Sequence, residues 1–164
     1  MTRAGARGAC AAIAVALTLT FAPSAMASLF GNLFAGSPPT SLGVRDGRLA
    51  PCPDKPNCVS SEAIDDTHRV APLAYGGDAA AALQRLADII AAQPGATLVT
   101  RRGDYLHAEF ATALMGFVDD FEARVDAAAR TIELRSASRL GHSDLGVNRK
   151  RVEAIRVLFE APPK

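Results

Sequence analysis

From Thr97 to Ser138 the chain alternates apolar and polar residues in short runs separated by turn formers, and few folds satisfy that pattern. Thr97 to Arg102 is followed by the turn Gly103-Asp104. Tyr105 to Thr112 then sets Tyr105, His107 and Glu109 opposite Leu106, Ala108 and Phe110. A period of two with tight turns predicts antiparallel strands. After Gly116, the run Phe117 to Val125 puts Phe117, Asp119, Phe121, Ala123 and Val125 on one face. Val118, Asp120, Glu122 and Arg124 fall on the other, because successive side chains on a strand alternate. Past a loop at residues 127–130, a strand from Thr131 carries Ile132 and Leu134 inward.

Charge fixes the register of the last two strands. Pairing Val125 with Ile132 sets Glu122 opposite Arg135 and Arg124 opposite Glu133, two opposite-charge pairs expected on the solvent face. An exposed pair is worth about 1 kcal/mol or less. The same register brings Asp119 opposite Ser138 on the core face. A carboxylate between Phe117 and Phe121 must find a partner there, because an unpaired buried charge is strongly unfavourable.

Two helices complete the pattern. Val70 to Tyr75 reads as an edge strand interrupted by Pro72. Asp78 is placed to cap a helix running to about Ala92, with Ala82, Leu83, Leu86, Ile89 and Ile90 as its buried face and Pro94-Gly95 as its stop. Asn148 is expected to cap a final helix to about Phe159 that packs through Val152, Ile155 and Phe159. The predicted order is β-α-β-β-β-β-α: an α+β fold with an antiparallel sheet of about four to five strands and both helices on one face.

Residues 1–27 have the layout of a secretory signal: Arg3 and Arg7, an apolar run from Cys10 to Ala22, and Ala25-Met26-Ala27, with cleavage expected after Ala27 and an uncleaved anchor as the alternative. The apolar run is too short for a permanent membrane span, and no other segment is apolar enough. Residues 28–50, with Gly31, Gly36 and Ser37-Pro38-Pro39, are expected to be an irregular, mobile lead-in, and 51–160 a single domain. Without Arg3 and Arg7 the 18 basic residues no longer outnumber the 17 acidic ones, so no global charge favours nucleic acid or an anionic membrane.

The segment Cys52-Pro53-Asp54-Lys55-Pro56-Asn57-Cys58-Val59-Ser60-Ser61 holds the only cysteines after the leader. Outside the cytosol they are most simply a disulfide; a reduced, nucleophilic Cys58 is the alternative. This segment, with GFVDD at 116–120 and RSASRLGHSDLGVNRKR at 135–151, resembles the family known as domain of unknown function 1499, over roughly residues 42–160. Members occur in bacteria and plastid-bearing eukaryotes, and the resemblance implies no particular activity. His142 stands where the family pattern leads one to expect an aromatic residue.

Residues 135–151 carry Arg135, Arg139, Arg149, Lys150 and Arg151 against the single acid Asp144. Cations at a helix N-terminus oppose its dipole, so a negative centre is expected among them. The candidate ligand-binding residues are Asp119, Ser136, Ser138, Arg139, Ser143, Asp144, Asn148, Arg149 and Arg151. Either an internal carboxylate fills the cluster, or Arg139, Arg149 and Arg151, with Asn148 and Ser143, grip one anion. The adjacent letters His142-Ser143-Asp144 cannot converge as a catalytic triad. His68, His107 and His142 lack metal-ligand spacing, so no metal or cofactor is expected.

The sequence thus reads as an exported, periplasmic or envelope protein, a non-catalytic binding or accessory module. Its expected partner is an anionic small molecule or another envelope protein. An enzyme acting on an anionic or lipid-derived envelope substrate, and a purely structural partner of an envelope complex, are the alternatives.

Overall fold

The computed structural model describes Met1, residues 34–113 and residues 115–162. Apart from Met1, the expected leader lies outside the described residues, as do residues 28–33 of the lead-in. Among these residues the elements run β1 (Cys58–Ser60), β2 (Leu73–Ala74), α1 (Ala79–Ala91), β3 (Ala96–Arg102), β4 (Tyr105–Ala111), β5 (Val118–Asp126), β6 (Thr131–Ser138) and α2 (Val147–Glu160). The fold is α+β. Its six-stranded sheet has the order β1-β6-β5-β4-β3, with β2 also on β6, and every pairing is antiparallel.

The expected register of β5 and β6 holds: Val125 faces Ile132, Glu122 faces Arg135, Arg124 faces Glu133 and Asp119 faces Ser138. Two strand expectations change. Val70 to Tyr75 shortens to Leu73–Ala74, since Pro72 has no N–H for the ladder. Cys58–Ser60, outside every strand expected from the sequence, pairs with β6 as an edge strand. The Cys52–Cys58 disulfide, with Cα atoms 5.6 Å apart, closes the loop leading into it. Such a small ring stabilises by roughly 2 kcal/mol in the chain-entropy model.

One face of the sheet carries the apolar core. Leu106, Phe121, Ile132 and Leu134 meet Leu83, Leu86 and Ile90 of α1 and Val152, Ile155 and Phe159 of α2. Asp78 caps α1 as expected, accepting from the Ala81 N–H at 2.8 Å. Gly95, at φ 72°, ends the turn after α1 so close to the Ala111 carbonyl that a Cβ would collide with it.

The opposite face is also buried, which corrects the expectation of a solvent face. Asp120, Glu122 and Arg135 are all buried, Glu122 completely. Residues 34–50 are irregular, but they lie on the domain rather than hanging free. Phe34 stacks on Phe117 with centroids 5.2 Å apart, the Gly43 N–H donates to Glu122 Oε1 at 2.8 Å, and the Leu49 N–H donates to Glu62 Oε2 at 2.9 Å. This strap burdens the polar face with desolvation, and ion pairing there must offset it.

Candidate functional site

The strand register sends Asp119 and Asp120 to opposite faces, and the predicted cluster divides with them. On the helix face Arg151 donates to Asp119 Oδ2 at 2.6 Å, to Asn148 Oδ1 at 2.6 Å and to Ser136 Oγ at 3.1 Å. Its guanidinium also lies 4.5 Å from the centroid of the Phe110 ring, a cation–π distance. Asn148 is fully buried in the first turn of α2. Its Nδ2 donates to Asp144 Oδ2 at 2.8 Å, Ser138 Oγ at 3.0 Å and the Asn57 carbonyl at 3.2 Å, while its Oδ1 also accepts from Ser136.

Asn148 is therefore not the helix cap expected from the sequence. Gly146 occupies the N-cap at φ 78°, where a residue without Cβ is favoured, and makes no side-chain cap. Asp144 supplies the missing acceptor, taking the Gly146 N–H at 2.9 Å and the Asn148 N–H at 2.7 Å. A carboxylate there complements the helix dipole and the nearby cations. Ser143 Oγ accepts only locally, from the Leu145 N–H at 3.2 Å.

Arg139 belongs to the other face. It donates to Asp120 through Nε at 2.9 Å and Nη2 at 2.8 Å, and it also reaches Glu109. His107 Nε2 lies 2.8 Å from Asp120 Oδ1. Arg149 turns elsewhere, donating to the carbonyls of Thr67 at 2.8 Å and Arg69 at 2.7 Å. Arg139, Arg149 and Arg151 thus share no negative centre. The expectation of one common centre fails because consecutive strand residues cannot face the same side.

Sequence reasoning missed His107, Glu109 and Asp120 as a group. The β4–β5 register sets Glu109 against Asp120 and brings one ligand-type atom of each residue within 4.8 Å of the others. The Arg139 guanidinium already sits on both carboxylates, so a metal ion there would have to displace it. Farther along this face, Glu122 Oε2 takes Arg135 at 3.1 Å and Oε1 takes the Tyr105 hydroxyl at 2.8 Å. Burial, and then the Glu122 charge, push the Tyr105 hydroxyl far above its ordinary range.

Burial pushes the Asp120 carboxyl upward, but hydrogen bonds from Arg139 and His107 outweigh it and hold the group below the ordinary carboxylate range. The sign follows from linkage: a depressed folded value gives stability that is complete above the unfolded value, about pH 3.9, and lost as pH falls through the folded one. Asp120→Asn is therefore expected to melt below wild type at neutral pH, with the gap narrowing under acid. A gap constant from pH 7 to pH 2, on the order of the range where both forms can be melted, would remove Asp120 as an acid-sensitive support.

Asn57 ties the pieces together. Its Nδ2 donates to the Gly141 carbonyl at 2.9 Å, and its own carbonyl accepts from Ser138 N–H at 2.9 Å and from Asn148. The cysteine segment, the Asp119-Asp120 strand and the Arg/Ser segment are three parts of one hydrogen-bonded centre. An antiparallel α+β domain pinned by such a centre, with an ion-pair layer behind its sheet, is the class of protein these observations define. The chain belongs to the family described as Protein of unknown function (DUF1499), whose pattern matches residues 48–159. No curated protein and no solved structure matches it.

Proposed function

We propose that this chain is an exported, periplasmic or envelope protein that serves as a non-catalytic binding or accessory module. The leader-like residues 1–27 and the Cys52–Cys58 disulfide support export. One observation carries the rest: every candidate arginine is committed to protein acceptors, Arg151 to Asp119, Arg139 to Asp120 and Glu109, and Arg149 to two carbonyls. The cluster acts as a frame, and binding falls to the surface it holds in place.

Native mass spectrometry of protein purified from its own envelope tests this reading. A chain beginning at Ser28, carrying one disulfide and a small molecule, is the expected result. Retention of a polypeptide alone would favour the structural-partner reading, which the filled ion-pair network also supports. Retention of an anion that is lost on Arg139→Ala would restore the arginines as ligand-binding groups.

A further inference from the structure

Beside the helix-face centre lies a pocket of about 210 Å³. Phe117, Leu140, Leu145 and Val147 supply apolar lining, and Asp119 and Ser138 supply polar lining. An apolar cavity of about 150 Å³ holds benzene, so this volume takes a group of ring size. Asp119 is only 5% exposed, and Arg151 holds its Oδ2. Its Oδ1 makes no hydrogen bond among the described residues, yet it is not among the atoms sealed from solvent without a partner. Asp119 is among the residues that line the pocket.

Leu145 is the second unusual feature. It is 86% exposed and holds φ at 55°, a conformation unfavourable for a residue with a Cβ. Among the described residues no cation lines the pocket, whereas Asp119 and Asp144 both do. Arg151 is spent on Asp119 Oδ2 and Asp144 on the first turn of α2, so the acceptor left open is Asp119 Oδ1, which suits a donor and not an anion.

We propose that this pocket binds a small primary amine with an apolar body of ring size, its ammonium group donating to Asp119 Oδ1 and Ser138 Oγ. This assignment rests on the binding-module reading and names its ligand class. It reverses the anionic ligand expected from the local abundance of arginine, because those arginines are spent on protein acceptors.

Benzylamine and its near-isostere benzoate, titrated at fixed ionic strength into the ¹⁵N-labelled, disulfide-bonded protein, separate the alternatives. Benzylamine is expected to shift the amides of Ser138, Gly141, Leu145 and Val147 saturably, and benzoate to leave them unmoved. Leu145→Gly suits the left-handed conformation, so it should melt no lower than wild type while weakening benzylamine about fivefold through lost apolar contact. Saturable benzoate binding at the same amides, benzylamine shifts confined elsewhere, or unchanged affinity in Leu145→Gly would each overturn the assignment. If neither probe binds while envelope-purified protein carries a small molecule, this assignment falls and the module reading stands. If benzylamine binds here while only a polypeptide co-purifies, the module reading falls and the pocket remains.

Discussion

Arg139→Ala is expected to destabilise the domain by about 3–5 kcal/mol, the range for removing one partner of a buried ion pair. The guanidinium serves two carboxylates at once, and its side chain is nearly inaccessible, as is that of Asp120. Its own affinity for the proton is raised, chiefly by the hydrogen bonds to Asp120, so it remains a cation at any pH where the domain folds. Alanine leaves Asp120 with only His107 and leaves Glu109 beside another acid. The loss should appear as a fall of roughly 10 °C or more in melting temperature. Arg139→Lys should recover only part of it, since an ammonium cannot reproduce the two-pronged contact. Phosphate or sulfate, varied at fixed ionic strength, should leave the wild-type melt unchanged. An unaltered mutant melt with an anion-dependent rise in wild type would make Arg139 a ligand-gripping residue instead.

The Glu122–Arg135 pair should behave in the same way, and not as the exposed pair the alternation implied. Glu122 is fully buried and accepts from Arg135, Tyr105 and the Gly43 N–H. Glu122→Ala is expected to cost about 3–5 kcal/mol because it strands Arg135 and opens the strap. Arg135 Nε has no hydrogen-bond partner among the described residues, so the pair is imperfect. Replacing both residues with leucine and methionine should therefore cost less than either single loss, since apolar pairs often substitute for buried ionic ones. A double-mutant cycle reads this directly. A coupling energy near zero would mean that the two side chains are screened by solvent and the strap does not cover them.

The helix-facing half of the fold was legible because its signals are local. The 3.6-residue spacing of Leu83, Leu86 and Ile90 and the alternation around Phe121 and Leu134 need no tertiary information. Opposite charges then fixed the β5–β6 register. The second buried face was not legible, because Asp120, Glu122 and Arg135 have the composition of a wetted surface and their cover is irregular chain. Asn148 misled for a related reason: asparagine favours helix caps, but here its amide is consumed by Asn57, Ser138 and Asp144. The meeting of His107 with Asp120 depends on how β4 returns as β5, which spacing along the chain does not reveal.

The strap has a consequence for the order in which the domain can assemble. Gly43 precedes its acceptor Glu122 by 79 residues, so a chain emerging from its amino end offers the cover long before the seat exists. Closing so long a loop is slow relative to pairing neighbouring strands, and docking of the strap should come late. Until then the uncovered side of the sheet presents carboxylates and guanidinium groups rather than an oily surface. Water can solvate that side while it waits, and exposed apolar surface is what drives partly folded chains to aggregate. A face that is costly to bury in the finished domain thus protects the unfinished one.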